Sequence, residues 1–289
     1  MIIGRFAPSP TGPLHMGSLV AAMASYLVSR QANGRWLVRI DDLDNERCSA
    51  THSANILRTL EDFGLLWDGS VLYQSQRQAA YQQALEQLAA QGDCFACHCT
   101  RKQLRQTAAK GIDGLIYPGT CRGHHALESQ CVIRCKTSQL NIHLNDELQA
   151  PLQLNIQQAI GDFVIRRADG QFSYQLAVVV DDAAQGITHV VRGADLFHTS
   201  LKQIYLQQLL NIPTPHYCHL PIMCTAQGEK LSKQTHAPPL QPNNAIQQLL
   251  SAWQFLGQKP APETPSSLDN FWLWAKKHWN INRIPTSSS

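Results

Sequence analysis

Residues 4–18 read GRFAPSPTGPLHMGS, a run that passes from a strand end through a stiff turn into the first turn of a helix. Its three prolines have a fixed φ and no amide donor, so no regular element continues through them. Gly12 and Gly17 let the backbone bend sharply and approach a ligand closely. The helix that follows directs amide groups and a partial positive charge at the turn, which favours a phosphate. The run predicts a nucleotide site; taken alone, a proline-rich connection with a solvent-facing His15 is the plainer alternative.

Hydrophobic periodicity on either side of this run alternates between the strand and the helix type. Strands are predicted over 2–6, 36–40, 189–192 and 217–223, and helices over 16–33, 50–63, 76–91, 196–210, 243–256 and 268–279. This alternation predicts an α/β protein built on a doubly wound parallel sheet of the Rossmann type. The last two helices, separated by a proline-rich linker, predict a small helical C-terminal part.

The texture of the chain changes between residues 94 and 160, where cysteines cluster and short strands alternate with glycine and proline. We interpret this region as an insertion in the catalytic domain. The first half of that domain then covers 1–93, the second half covers 161–240, and the helical C-terminal appendage covers 241–289.

Bulk composition restricts the class of protein. The chain has 289 residues, of which 44% are hydrophobic and 16% are charged, so a large folded core is expected. Its longest apolar run, around 19–28, is too short to cross a bilayer and follows no charged leader, so we expect no membrane partner and a cytoplasmic protein. A net charge of +3 permits nucleic-acid binding through a local patch without requiring it.

A second motif, Lys230-Leu231-Ser232-Lys233, lies far along the chain from the first. Together with His15-Met16-Gly17-Ser18 it resembles the two signatures of the class I aminoacyl-tRNA synthetases. The segments RFAPSPTG (5–12), RIDDLD (39–44) and VRGADL (191–196) resemble motifs of the glutamate branch of that family. The resemblance covers most of the chain, from residue 3 to about 238.

The resemblance implies a ligase-like enzyme that converts glutamate and ATP to glutamyl-adenylate and pyrophosphate, and then transfers the acyl group to an RNA hydroxyl. An arginine fork suits the carboxylates of such a substrate. By the resemblance, glutamate is bound by Arg5, Ala7, Ser9, Asp41, Tyr174 and Arg192; ATP, which brings Mg²⁺, is bound by His15, Gly17, Ser18 and Lys233; and the catalytic residues are His15, Lys230 and Lys233. The family usually has glutamate where this chain has Asp41, so the acid is one methylene short.

Each of these residues has a plainer interpretation when it is taken alone. The arginines suit a surface or a sheet edge, the acids near Asp41 suit a solvated loop, a helix cap or a weak cation site, and Tyr174 suits a core. The lysines of the second motif suit a solvated loop. Only the match to successive motifs favours the functional roles.

The chain has nine cysteines, an odd number, and without an export signal reduced thiols or a metal site is favoured over disulfides. Cys97-His98-Cys99 with Cys121 further on is a moderate zinc signal, and buried unreactive cysteines are the alternative. One subgroup of the family, the glutamyl-Q tRNA(Asp) synthetases, carries Cys-x-Cys followed by Tyr-x-x-x-Cys as a zinc site. The resemblance therefore implies one structural Zn²⁺ on Cys97, Cys99, Tyr117 and Cys121, with Cys94, His98, His124 or His125 as replacements for the tyrosine.

That subgroup places glutamate on the cyclopentenediol of queuosine in the anticodon of tRNA(Asp). About fifty residues follow the second motif, too few for another sizeable domain, which favours this subgroup over an ordinary glutamyl-tRNA synthetase. The expected partners of this monomer are thus L-glutamate, ATP and the queuosine-containing anticodon arm of tRNA(Asp). Candidate phosphate contacts are Arg101, Lys102, Arg105, Lys110, Arg122, Lys276, Lys277 and Arg283.

Two alternative functions stay open at this point. One is a truncated glutamyl-tRNA synthetase that charges a tRNA 3′ end. The other is a catalytically silent RNA-binding paralogue, for which the shortened acid at Asp41 is the best argument.

Overall fold

The computed structural model of the chain describes residues 1–44, 46–123, 130–224 and 238–286. The first part contains β1 (Ile3–Phe6), α1 (Met16–Gln31), β2 (Arg35–Ile40), α2 (Ala50–Asp62), β3 (Leu72–Tyr73) and α3 (Gln78–Ala90). The middle part contains β4 (Cys94–Cys97), α4 (Arg101–Thr107), β5 (Ala109–Gly111), β6 (Gly114–Ile116), β7 (Val132–Cys135), β8 (Asn141–Leu144), β9 (Leu152–Asn155), α5 (Ile156–Ala159) and β10 (Phe163–Arg166). The last part contains α6 (Tyr174–Ala184), β11 (His189–Gly193), α7 (Ser200–Leu209), β12 (His216–Leu220), α8 (Ala245–Phe255) and α9 (Leu268–His278).

The main sheet has five strands in the order β12-β11-β1-β2-β3, and every neighbouring pair is parallel. The strand order reverses between β1 and β11, which defines a doubly wound sheet with its switch point at these two strands. The predicted fold class is confirmed. The two-residue strand β3 is too short to produce a periodic pattern, and the sequence did not predict it.

Helices cover both faces of the sheet, as a parallel sheet requires. Along β2, Trp36 and Val38 pack into a core with α1, α8 and α9, whereas Leu37 points to the opposite core with α3, α6 and α7. This alternation follows from the two-residue period of a strand. All three side chains are buried, so β2 lies in the interior of the fold.

The turn between β1 and α1 forms where the prolines end the strand. A Cβ on Gly4 would lie 2.3 Å from the Ser29 hydroxyl oxygen, so glycine allows α1 to lie against β1. At the other end of α1, Asn33 has φ of 52°, the left-handed conformation in which helices commonly stop.

The middle part forms a separate antiparallel sheet in the order β10-β7-β4, with the two-stranded hairpins β5-β6 and β8-β9 beside it. Strand β10 lies beyond residue 160 yet pairs with β7, so 163–166 belong to the insertion's sheet by hydrogen bonding. The bounds of the four predicted segments stay a prediction.

The C-terminal helices α8 and α9 pack against α1 and share its core. Trp253 and Phe271 are buried there, and the Trp272 indole N–H donates to the Phe63 carbonyl oxygen at 2.9 Å. Within the described ranges, none of the helices combines the length and the apolar character needed to span a bilayer.

Candidate active site

A cavity of about 570 Å³ opens at the switch point, beside the carboxyl ends of β1 and β11. Ligands of doubly wound folds bind at this place because the connections from the two strands diverge there. Most of the predicted site residues line the cavity: Arg5, Ala7, Ser9, His15, Gly17, Ser18, Tyr174 and Arg192. Asp195, Ile222 and Met223 line it too, and the sequence did not single them out.

Arg192 lies on β11 and is buried, with 6% of its surface exposed. Its guanidinium donates to the Tyr174 hydroxyl at 3.2 Å, the Ser200 hydroxyl at 2.7 Å and the Gln203 amide oxygen at 2.8 Å. Its Nε donates to His219 Nε2 at 3.1 Å. These acceptors are all neutral, and no carboxylate lies within 4 Å of Arg192 in the described part of the chain.

Local structure explains why these side chains meet at Arg192. Ser173 caps α6 and places Tyr174 in the first helical turn, beside the cavity. Arg192 and His219 are direct neighbours on the parallel strands β11 and β12. Ser200 and Gln203 lie one turn apart on α7, so both face the same guanidinium.

Arg5 lies on β1 in a different environment. Its guanidinium donates to both oxygens of Asp182 on α6, at 3.2 and 3.4 Å. Asp182 also accepts from Arg39 Nη1 at 2.5 Å. Burial alone would raise the pKa of Asp182, but the adjacent Arg5 and Arg39 hold it below its ordinary value. The carboxylate therefore stays charged between two cations.

Asp41 does not line the cavity; it extends the Arg5 network. Its Oδ1 accepts from Arg39 Nε at 2.7 Å, and in the described ranges no hydrogen bond reaches the other oxygen. Burial raises the pKa of Asp41 to about 6 against the opposing effect of Arg39. An ammonium group at the free oxygen would favour the charged form.

His15 and Gly17 lie where the turn meets α1, and the N-terminal end of α1 opens to the cavity. Lys230 and Lys233 lie outside the described residues. The residues on either side of that stretch reach the same place: Met223 lines the cavity, and Pro239 forms a bridge to His15. The Leu240 N–H donates to the Leu14 carbonyl oxygen at 2.9 Å.

The four predicted metal ligands converge beside the insertion's sheet. The sulfur atoms of Cys97, Cys99 and Cys121 lie within 4.8 Å of one another. The Tyr117 hydroxyl oxygen lies 3.4 Å from the Cys97 sulfur and 3.5 Å from the Cys99 sulfur. Three sulfurs and one oxygen around a common centre are a donor set that suits Zn²⁺.

Of the replacement ligands, Cys94 points into a different core and His98 is exposed, and neither belongs to this group. His124 and His125 lie outside the described residues. Among the candidate RNA contacts, Arg122 is engaged instead with Asp162, at 2.6 Å from its Nε.

The buried partners Asp182, His219 and Asp146 were missed by reasoning from the sequence. Asp182 carried a usable signal, since it belongs to the acidic pair Asp181-Asp182 that follows Val178-Val179-Val180 on an apolar helix, and a buried acid there needs a hydrogen-bonding or cationic partner. His219 and Asp146 are 73 residues apart in the chain and carried none.

Comparison with known proteins agrees with this geometry. The family model "tRNA synthetases class I (E and Q), catalytic domain" matches residues 1–245. A glutamyl-Q tRNA(Asp) synthetase from Thiobacillus denitrificans is 51% identical over 98% of this chain and 95% of its own length. Another, from Neisseria gonorrhoeae, is 47% identical over 99% of this chain and 98% of its own length.

A solved structure of a glutamate tRNA ligase from Elizabethkingia meningosepticum, in complex with its amino acid, has the same fold. Its TM-score is 0.80 at 22% identity, and the match covers 99% of this chain. This chain spans 66% of the length of that protein.

Proposed function

The chain belongs to the class I tRNA synthetases of the glutamate and glutamine branch, among the glutamyl-Q tRNA(Asp) synthetases, and from this membership we propose that it activates L-glutamate with ATP and transfers it to queuosine in tRNA(Asp). In the first step a carboxylate oxygen of glutamate attacks the α-phosphorus of ATP, and pyrophosphate leaves. In the second, a hydroxyl of the queuosine cyclopentenediol attacks the acyl carbon, and AMP leaves. Both steps balance without a further reactant.

One observation supports the glutamate pocket above the others. Arg192 is buried at the switch-point cavity, and its contacts in the described chain are neutral hydrogen-bond acceptors. A buried guanidinium without a carboxylate partner is stabilised by an incoming anion. Arg5 faces the same cavity from the neighbouring strand, so a dicarboxylic amino acid finds two arginines there.

The proposed roles follow the predicted ones. Glutamate contacts are assigned to Arg5, Ala7, Ser9, Asp41, Tyr174 and Arg192. ATP contacts are assigned to His15, Gly17, Ser18 and Lys233, and His15, Lys230 and Lys233 stabilise charge on the leaving pyrophosphate. Mg²⁺ accompanies the nucleotide. For Asp41, the oxygen that does not bind Arg39 is the one proposed to hold the α-ammonium group.

We assign Cys97, Cys99, Tyr117 and Cys121 to one structural Zn²⁺. A tyrosine ligand binds best as phenolate. Burial raises the pKa of the Tyr117 hydroxyl above its ordinary value, so the charge of the metal itself would favour that form. The Arg134 guanidinium carbon lies 4.2 Å from the centre of the Tyr117 ring. The metal holds the insertion together and takes no part in acyl transfer.

The RNA partner is proposed to be the anticodon arm of tRNA(Asp). Arg101, Lys102 and Arg105 on α4 are exposed and suit phosphate contacts. The monomeric state and the cytoplasmic location stay predictions.

The decisive experiment measures glutamate-dependent exchange of pyrophosphate into ATP without RNA. We expect exchange with glutamate and none with aspartate; absence of exchange with either would favour the silent RNA-binding paralogue, and exchange with aspartate alone would overturn the proposed pocket. Transfer is then measured on tRNA(Asp) with and without queuosine. Transfer to both forms, or to a tRNA 3′ end, would favour the truncated glutamyl-tRNA synthetase.

A further inference from the structure

The hairpin β8-β9 of the insertion reaches the edge of the main sheet through Asp146. The Glu147 N–H donates to the Tyr217 carbonyl oxygen at 2.9 Å, and the His219 N–H donates to Asp146 Oδ1 at 3.2 Å. The side chains of Asp146 and His219 are both fully buried. The Asp146 carboxylate, which belongs to the insertion, thus contacts His219, the histidine that accepts a hydrogen bond from Arg192.

The directions of the hydrogen bonds fix the proton on His219. A guanidinium only donates, so Nε2 of His219 must accept from Arg192 Nε at 3.1 Å. In a neutral imidazole the proton then lies on Nδ1, which donates to Asp146 Oδ2 at 2.5 Å. Burial lowers the pKa of His219, with Arg192 adding to the effect and Asp146 opposing it, which favours the neutral ring.

We propose that Asp146 is a positioning residue for amino-acid recognition: it holds His219 in the Nδ1–H tautomer and thereby fixes the Arg192 guanidinium at the cavity. The inference rests on the proposed function, in which Arg192 binds a substrate carboxylate. The guanidinium is held at all three nitrogens: Ser200 and Gln203 accept from Nη2, Tyr174 accepts from Nη1, and His219 is the acceptor for Nε. Loss of the bond to His219 therefore releases the Nε edge of the guanidinium.

The two oxygens of Asp146 have separate partners, which makes a selective variant available. Oδ1 accepts from the backbone N–H groups of Leu148 and Gln149, both at 3.0 Å, and of His219. Oδ2 accepts only from the His219 ring in the described chain. In Asp146→Asn the amide oxygen keeps the backbone bonds and the amide nitrogen donates to Nδ1. The proton of His219 then moves to Nε2, where it faces the Arg192 Nε–H donor at 3.1 Å and has only the Ser200 hydroxyl, at 3.0 Å, to accept it.

We expect Asp146→Asn to raise the KM for glutamate in pyrophosphate exchange about tenfold, the size expected for loss of one hydrogen bond to a charged group. The KM for ATP should stay unchanged. Asp169→Asn, which removes an exposed carboxylate, is the matched control and should leave both KM values unchanged. Equal rises in the two KM values, or no change for glutamate, would overturn the inference.

His219→Gln supplies the second variant. A glutamine oxygen reaches the place of Nε2 and accepts from Arg192 without help from Asp146. Asp146→Asn should therefore have no further effect on the KM for glutamate in the His219→Gln background. A tenfold effect that persists there would show that Asp146 acts by another route and would overturn the inference.

Nitrogen NMR of histidine-labelled protein reads the tautomer directly, with His219→Gln giving the assignment. We expect Nδ1–H in the wild type and Nε2–H in Asp146→Asn. A wild-type His219 with Nε2–H, or a charged ring, would overturn the inference even if glutamate is activated. If no amino acid is activated, the proposed function fails, and the tautomers still decide whether Asp146 controls His219.

Discussion

Arg5 and Arg192 face one cavity from neighbouring strands, but the charges of their two guanidinium groups have different partners. Arg5 is ion-paired with Asp182, which also binds Arg39, whereas Arg192 is held by a tyrosine, a serine, a glutamine and a histidine. A carboxylate that enters the cavity competes with Asp182 for Arg5 but meets no such competitor at Arg192 in the described residues. Arg192 is therefore the stronger anchor for an anion, and Arg5 mainly orients it.

The surroundings of Arg5 and of Arg192 therefore have different roles in the protein. On the Arg5 side, charges alternate through Arg5, Asp182, Arg39 and Asp41, so each arginine has a carboxylate partner without a ligand. On the Arg192 side, the positive charge is completed only by a ligand. Changes in the Arg5 network should act first on folding, and changes around Arg192 should act first on substrate binding.

The largest expected effect is that of Asp182→Asn on stability. The change leaves Arg5 and Arg39 buried without the carboxylate they share, which should cost about 4 kcal/mol in the free energy of unfolding. Urea denaturation at pH 7 measures it. Asp169→Asn, which breaks an exposed pair, should cost less than about 1 kcal/mol. Equal costs for the two variants would mean that the Arg5 network is not the stabilising one.

The second effect is a pH dependence of the free energy of unfolding, which arises at Asp41, the last residue of the Arg5 network. Burial raises the pKa of Asp41 to about 6, above the value near 3.9 of an unfolded aspartate. Folded Asp41 therefore keeps its proton between about pH 4 and 6 while the unfolded chain loses it, so its contribution is present below pH 4 and is lost as the pH rises through 6.

Asp41→Asn should abolish this loss. Relative to the wild type, the variant should gain roughly 3 kcal/mol in the free energy of unfolding between pH 4 and pH 7. Denaturation curves at the two pH values measure the gain. If the free energy of unfolding of the variant and that of the wild type differed by the same amount at both pH values, the pKa of Asp41 would be the same in the folded and unfolded chain.

The third effect compares the arginines directly. Arg192→Lys keeps the charge but loses the fork, and kcat/KM for glutamate in pyrophosphate exchange should fall about a hundredfold. Arg5→Lys should lower it about tenfold, because Asp182 already offsets that charge. Arg167→Lys, at an exposed arginine, is the control. A larger loss at Arg5 than at Arg192 would reverse the assignment of the stronger anchor.

The two arginines could be predicted from the sequence, but the buried residues Asp146 and His219 that support Arg192 could not. Arg5, Tyr174 and Arg192 were predicted because each belongs to a short motif, and the strands that carry the two arginines have a clear apolar pattern. Asp146 and His219 were not, because their pairing depends on a contact between the insertion and the sheet edge. Likewise, β10 follows a recognisable pattern, but nothing in residues 163–166 indicates that their partner is β7.

A second part of the insertion, the hairpin β5-β6, also contacts a support of Arg192. Asp113, between β5 and β6, accepts from Thr199 Oγ1 at 2.7 Å and lies 3.0 Å from Lys202 Nζ. Thr199 directly precedes Ser200, one of the groups that hold Arg192. The zinc ligand Tyr117 directly follows β6, so the metal group and the Arg192 support are connected through one short hairpin.

Cys97→Ser should therefore produce the smallest effect, and that effect should be on glutamate binding at Arg192. Loosening the hairpin is expected to raise the KM for glutamate about threefold, the size usual for a change in a supporting element, and adenylate formation should persist. The KM for ATP, which depends on the turn before α1, should not move. Cys224→Ser, at an exposed cysteine outside the metal group, is the control. Complete loss of activation in a folded Cys97→Ser protein would contradict a structural role for the metal, and a rise confined to ATP would show that the insertion supports the other side of the cavity.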